Sequence, residues 1–463
     1  MDPADSAVRR KDLPTADTSN LSPPADQPFV IRTIIITGNK KTRNNIILRE
    51  IPFKVGDHFE LQQLVKRFEQ ARQQLMNTAL FHDVVVALKS FQGYDVDILV
   101  DVKERWYLFP IPYFKLIDRN FNQWWVEQNR SLDRVNYGLK ILHNNTTGRN
   151  DKLNVWLVNG YTKQVSMSYD RLYFDKRMKW GFKTGFAVGK NREVNYATVG
   201  NKQVFLKDDK QFIRSFFNAN AELTYRKAIR TRHRFGIAYT DERVGDTVTA
   251  LNPSFFLGGN THVRYPEFYY NMQYLGFDYN PYPLRGFGAE INVSKKGLHK
   301  DFNLWQLTVK GAGNWTIKRN LQFHLTAVGS LKLPFKQSFY NKKLLGYYDM
   351  NLQGYEYYVV DGVLGGYLKA AVTKQLVKFN INFPTLKYSK PVKVPVRIFA
   401  KMYGNAGYVH DPEPQSNYLA DRMLYSGGFG IDIVTFYDFV LKLEWSFNQL
   451  GQNGLYLHKK SIF

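Results

Sequence analysis

The stretch Phe439-Val440-Leu441-Lys442-Leu443-Glu444-Trp445-Ser446-Phe447 decides the fold class. Phe439, Leu441, Leu443, Trp445 and Phe447 are large and apolar, and Val440, Lys442, Glu444 and Ser446 alternate with them. A period of two sends the first set to one face of a strand and the second set to the other. Working outward, Met178, Trp180, Phe182, Phe186 and Val188 alternate with Lys179, Gly181, Lys183 and Ala187. Leu321, Phe323, Leu325 and Leu331 alternate in the same way with Gln322, His324, Thr326 and Lys332. From Trp106 onward the period is two almost everywhere. A slip of one residue would turn every charge to the greasy face, so register is strongly specified.

Composition narrows what this face meets. The 463 residues include 30 Tyr, 34 Phe and 8 Trp, yet mean hydropathy is −0.40. No run of about 20 apolar residues is present, so helical membrane spans are excluded. Aromatic abundance without long apolar runs suits a barrel that presents apolar residues to lipid and polar ones to its lumen. By composition alone, a large soluble β-sandwich or β-helix fits as well. Cysteine is absent, which removes disulfides, thiolate metal sites and cysteine nucleophiles. Met1–Lys11 is charged and lacks the apolar core of a secretory signal, so a trimmed sequence or a mis-assigned start is expected. The formal charge of +24 falls mostly beyond Trp106, since residues 29–105 hold 12 basic and 9 acidic side chains. No recognition helix, zinc finger or RNA-binding signature accompanies it, which argues against nucleic acid. Anionic lipids or glycolipids, or a basic lumen, are the expected partners of these cations.

Strands are predicted near 106–117, 134–144, 151–160, 163–173, 177–190, 211–226, 231–243 and 261–279, then near 284–296, 302–317, 319–332, 365–382, 395–409, 424–434, 438–448 and 453–463. Sixteen strands follow. The connections after even-numbered strands are mostly short. Those after odd-numbered strands include the long segments 191–210, 244–260, 333–364 and 410–423. That parity matches short periplasmic turns and long outer loops. Ahead of the barrel at 106–463, residues 1–27 are Pro-, Asp-, Ser- and Thr-rich and read as a disordered leader. Residues 28–105 read as strand, helix, helix, strand, strand, closing in a hairpin around Gly93.

No catalytic constellation emerges: the nine His are scattered, and there is no H-E-x-x-H pair, G-x-S-x-G elbow or phosphate-binding glycine loop. No enzyme activity, cofactor or metal is expected. Gly427-Gly428-Phe429-Gly430 is read as relief of crowding inside the barrel.

Gly38-Asn39 followed by Thr42, then Arg49-Glu50, Gly56-Asp57, Leu75 and Phe81-x-x-Val84 resemble a POTRA domain, the periplasmic module of the BamA, TamA and FhaC superfamily of outer-membrane assembly barrels. The resemblance implies a bacterial outer-membrane protein with its N-terminal domain in the periplasm, acting on unfolded or nascent outer-membrane proteins, with envelope accessory proteins as further partners. It also implies that the sixth outer loop enters the lumen with an Arg-Gly-aromatic motif whose Arg pairs with an acid on strand thirteen. Here Gln353 stands where the Arg would be, before Gly354 and Tyr355. The acid's place falls near Met402, beside Lys401, so both halves of the pair are expected to be missing together.

Pro110 and Pro112 lie two apart on the first barrel strand, so both absent N–H groups face one neighbour. If that neighbour is the sixteenth strand, with Leu457 and Phe463, the seam loses two donors and becomes a lateral gate; if it is the second strand, or if the prolines lie below the membrane as a rigid elbow from the POTRA-like domain, they say nothing about the seam. The terminal Phe463 also resembles the recognition signal of barrel-assembly substrates, although Lys459 and Ser461 interrupt the face of Leu455, Leu457 and Phe463. Val84, Val86 and Leu88 mark a POTRA strand that could accept a client segment by edge pairing. The functional expectation is assembly, insertion or translocation of outer-membrane proteins; the alternative is a structural or accessory barrel plugged by its sixth loop.

Overall fold

A computed structural model describes residues 28–118, 123–170, 175, 179–208, 210–228, 230–278, 282–299, 302–347, 350–383, 392–435 and 440–458. The expected leader at 1–27 lies outside the described residues, as do Lys459, Ser461 and Phe463. The chain divides into two compact units, one reaching Trp106 and including Thr147–Asn150, the other formed by the rest.

The N-terminal unit runs β1 (Phe29–Thr37), α1 (Asn44–Glu50), β2 (His58–Phe59), α2 (Leu61–Asn77), β3 (Phe81–Gln92) and β4 (Asp95–Glu104). Its sheet has the order β2-β1-β4-β3, with β1 and β4 parallel. Ile31, Ile46, Ile47, Leu64, Ala71, Leu75, Phe81, Val84, Ile98 and Val100 are buried. The stripe of α2 is narrower than its apolar spacing suggests, because Leu61 and Val65 are exposed. Gly38 makes the turn after β1 at φ +81°, where a Cβ would lie 2.0 Å from the Val102 carbonyl oxygen; only glycine fits.

Two carboxylates tie this unit's segments together. Asp97 receives Arg32 through two hydrogen bonds of 3.0 and 2.5 Å and the Ser90 hydroxyl at 2.7 Å. The Arg32 bond first, then the Ser90 bond, hold the Asp97 carboxyl down at about 2. Glu104 accepts the backbone N–H groups of Thr42 at 2.6 Å and Lys41 at 3.0 Å. Burial opposes its charge, but the Thr42 hydroxyl and these backbone donors outweigh burial and keep it below the ordinary carboxylate range.

The second unit is built on one antiparallel sheet. It begins β5 (Leu108–Leu116), β6 (Val135–Asn144), β7 (Lys152–Gly160), β8 (Thr162–Asp170) and β9 (Trp180–Asn191), followed by a loop hairpin, β10 (Glu193–Val199) and β11 (Lys202–Lys207). Next come β12 (Arg214–Tyr225), β13 (Thr231–Val244), the loop helix α3 (Asp246–Leu251), β14 (His262–Leu275), β15 (Gly286–His299), β16 (Phe302–Lys318) and β17 (Leu321–Leu333). After a loop holding α4 (Phe339–Lys342), β18 (Lys343–Leu345) and β19 (Val360–Asp361), the sheet ends with β20 (Leu364–Phe383), β21 (Val392–His410), β22 (Met423–Val434), β23 (Val440–Asn448) and β24 (Asn453–His458). The sixteen sheet strands lie in sequence order from β5 to β24, at the positions the alternation predicts. Exposed Leu157, Val165, Phe186, Phe235, Phe268, Trp305 and Phe429 face one side. Buried Asn136, Glu222, Asn271, Gln322, Lys401 and Glu444 face the other. Contacts across the sheet order show that it curls into a barrel around that polar face: the Tyr282 hydroxyl, between β14 and β15, donates to Asp432 on β22 at 2.9 Å.

The long loops pack on one another. Leu344, Leu345, Leu352, Tyr355 and Tyr358 of the sixth loop share a core with Val409, Leu419 and Leu424. Asn201, fully buried at the tip of the β10–β11 hairpin, holds three loops at once. It exchanges hydrogen bonds with Val359 at 2.8 and 3.0 Å, donates its N–H to Asn417 at 2.9 Å and accepts the Leu419 N–H at 2.9 Å.

Candidate functional site

Inward parity on β21, β22 and β23 brings Lys401, Asp432 and Glu444 into the lumen. Lys401 stands opposite Gly430, and Gly430 opposite Glu444. A lysine and a glutamate thus flank a residue without a side chain; a Cβ on Gly430 would sit 2.4 Å from the Leu443 carbonyl oxygen and 3.1 Å from Glu444 Cγ. Across that gap the Lys401 ammonium donates to Glu444, and it lies 3.0 Å from Asp432 Oδ1. From the last strand, His458 Nδ1 lies 2.7 Å from Glu444 Oε2, and its Nε2 lies 3.4 Å from Glu356 Oε1 in the sixth loop. Gly428 follows the same logic as Gly430, since a Cβ there would meet the Tyr403 hydroxyl at 2.6 Å.

The loop residues singled out by sequence meet this cluster. Gln353 Nε2 donates to Glu444 Oε2 at 2.8 Å. Asn448 Nδ2 donates to the Gly354 carbonyl at 2.7 Å, and the Tyr355 hydroxyl donates to the Tyr425 carbonyl at 3.2 Å. Gly354 holds φ +87° close against Ser426 and Phe447.

Met402, where the acid was sought, points outward and is 71% exposed. Its neighbour Lys401 faces inward, so strand thirteen supplies a cation, and the acid that receives the loop is Glu444, two strands further on. Charge pairing is present, carried by the barrel wall, with the loop joined to it by a neutral amide. The physical reason is compensation: a buried carboxylate needs a counter-charge, and with glutamine in the loop that counter-charge comes from Lys401. Asp432, Glu444, His458, Glu356 and Asn201 were all missed. Alternation marked Glu444 as inward, but only cross-strand register puts it on the rung of Lys401.

The edges of the sheet form the second candidate. Ile117 N–H donates to the Arg134 carbonyl at 3.1 Å, and Asn144 N–H to the Tyr107 carbonyl at 2.8 Å. Bonding alternates along an antiparallel ladder, so odd-numbered residues of β5 exchange bonds with β6. Pro110 and Pro112, opposite Ile141 and Leu139, turn their missing N–H positions toward the free edge, which excludes the reading in which they face the second strand. At the other edge, Leu457 is outward and 39% exposed. Among the described residues no ladder joins β5 to β24, so the closing pair expected from the sequence is not among the strand pairings.

The third candidate is β3, a margin of the N-terminal sheet. Val84 is buried, Val86 half-buried and Leu88 40% exposed, so the three do not share one environment. A bulge between Leu88 and Ser90 lets Leu88, and beyond it Phe91 at 71% exposure, meet solvent. Among the described residues no His, Asp or Glu group is arranged to hold a metal, and no helix is long and apolar enough to cross a membrane, which says nothing of a barrel.

Comparison with known proteins fits this geometry. The POTRA family model, described as "Surface antigen variable number repeat", matches residues 29–105. No curated protein matches the chain. Among solved structures, BamA from Haemophilus ducreyi lacking POTRA domains 1–3 superposes with a TM-score of 0.52 at 13% identity, covering 93% of this chain and 83% of that one. CdiB from Acinetobacter baumannii gives 0.49 at 13% identity, covering 93% and 74%. CdiB from Escherichia coli gives 0.48 at 9% identity, covering 96% and 91%. The chain thus carries a POTRA module over residues 29–105, followed by a sixteen-stranded barrel with the fold of BamA.

Proposed function

We propose that this protein assembles, inserts or translocates proteins at the bacterial outer membrane, with its POTRA module in the periplasm. The observation that carries this is the edge of β5. Pro110 and Pro112 remove two donors from the side that would pair with β24, each worth roughly 1 kcal/mol net in water and more in lipid, where water cannot replace it. A weak first-to-last seam can part toward the bilayer and template an incoming strand by edge pairing, while the β3 margin around Val84, Val86 and Leu88 receives the client first. No covalent step or cofactor is needed, and the partners are unfolded outer-membrane proteins and envelope accessory proteins. Outward-facing Leu108→Cys and Leu457→Cys in one chain should crosslink and stop client assembly, read by outer-membrane proteomics after depletion of the native protein. Normal assembly by the crosslinked chain would rule out the gate.

The second reading is a structural or accessory barrel. Its support is the buried anchoring of the sixth loop at Glu444 and the three-loop junction at Asn201, both suited to a closed scaffold. Depletion that leaves the outer-membrane proteome unchanged would favour it.

A further inference from the structure

Tracing the outward side chains rung by rung exposes a second surface, remote from the seam. On strands three to seven, Asn159 (β7), Lys163 (β8), Lys190 (β9), Ser215 (β12) and Arg243 (β13) all face outward near the long-loop rim. Lys163 is directly opposite Lys190, Lys190 opposite Ser215, Ser215 opposite Arg243 and Arg243 opposite His262. Two like charges placed opposite each other destabilise a sheet unless something anionic lies between them. Among the described residues no carboxylate forms an ion pair with either lysine, and both are exposed.

The loop residue Phe212 gathers these cations. The Lys190 ammonium is 4.2 Å from its ring centroid, the Arg192 guanidinium 5.1 Å and the Lys163 ammonium 5.6 Å. Further along, Arg243 and Arg264 share one acid, Asp241, at 3.6 and 3.3 Å, with His262 at 3.0 Å from it. That leaves a second excess of positive charge roughly three strand spacings, about 14 Å, from the first.

One rung toward the membrane the chemistry changes at once. Leu139 is opposite Leu157, Leu157 opposite Val165, Val165 opposite Val188 and Val188 opposite Phe217. All five are exposed, and together with the lysines they line an open groove of about 920 Å³. A continuous apolar row beneath a basic row fits an amphiphile whose chains lie along the wall and whose anionic head sits at the rim.

We propose that this surface binds a phosphorylated, multiply acylated glycolipid of the outer leaflet. One phosphate is held by Lys163, Lys190 and Arg192, and another by Arg243 and Arg264. Two separated clusters suit a head carrying two phosphates better than a glycerophospholipid carrying one. Ser215 and the Asn159–Tyr137 hydrogen bond of 3.2 Å offer neutral groups at the same height for sugar hydroxyls. This rests on the outer-membrane reading only for its orientation, with the long loops outside.

Native mass spectrometry of the full chain in detergent tests it, with bisphosphorylated lipid A, its dephosphorylated form and phosphatidylglycerol as probes. The native protein should retain one lipid A. Lys163→Gln with Lys190→Gln should lower occupancy at least tenfold while heat-modifiable mobility, the sign of a folded barrel, is unchanged. Lys163→Arg with Lys190→Arg should stay within twofold, and Ser215→Asp should lower occupancy by adding a negative charge to the row. Equal retention by the glutamine variant, or by the dephosphorylated lipid, would overturn the site. Phosphatidylglycerol bound as well as lipid A, with the same lysine dependence, would overturn the choice of glycolipid. Client assembly is read separately: its failure with lipid retention intact overturns the assembly function and supports the lipid site.

Discussion

Glu444 sets the strictest demand at the scale of single residues. It is fully buried and meets Lys401, His458 and Gln353. Glu444→Gln removes the charge facing Lys401, and breaking a buried pair from one side costs about 3–5 kcal/mol. The expected outcome is a clear fall in the temperature at which the barrel loses its heat-modifiable mobility. Lys401→Met should lower it as well, because it strips Glu444 and Asp432 of the cation they share; the double variant should fall by less than the two single losses summed, and losses that simply add would sink the pairing. Asn201→Ala removes three loops' shared partner at a site without solvent. Each unsatisfied buried group costs about 1–3 kcal/mol, so protease added from outside should cut within 410–423 sooner than in the native chain. Unchanged cleavage kinetics would show that the junction holds nothing. Neither residue could be picked out from sequence. Alternation says which way Glu444 points, but not that Gly430 opens a path to it from Lys401, and an asparagine in a long polar loop looks like any other.

At the scale of elements, the barrel strands were almost wholly legible, because lipid on one side and water on the other impose a period that every strand must obey. Phe29–Thr37 and Asp95–Glu104 were equally plain, being apolar runs bounded by Gly38 and Gly93. What escaped was the structure inside the loops: β10, β11 and α3 pack around Phe255 and Phe256, a local core with no simple periodicity. The margin β3 is testable as an element. Leu88→Lys with Phe91→Lys should reduce client assembly in cells while leaving the barrel's folding untouched, since both side chains are already exposed; full assembly activity would remove the edge from the mechanism. The N-terminal unit also has a defined acid limit. Asp97, held at about 2 in the fold, has an unfolded value of about 3.9. A depressed folded value contributes stability that is complete above about 4 and is lost as pH falls toward 2, and Glu104 is shifted in the same direction. Pepsin should therefore begin to cut residues 29–105 as the pH drops through that window, and Asp97→Asn should abolish most of the pH dependence.

On the scale of the whole molecule, β24 is an edge strand of the sixteen, yet the cluster inside the barrel needs it. His458 stands between Glu444 and Glu356, one on the wall and one in the sixth loop. Without that strand Glu356 lacks the His458 imidazole, and Glu444 keeps Lys401 and Gln353 alone of the three groups named above. A barrel whose β24 has not docked would thus leave the loop carboxylate without its imidazole, and the wall would have reason to stay loose. Docking of β24 both supplies a partner for β23 and quiets the interior, so pairing at that edge is registered in the lumen as well as at the margin.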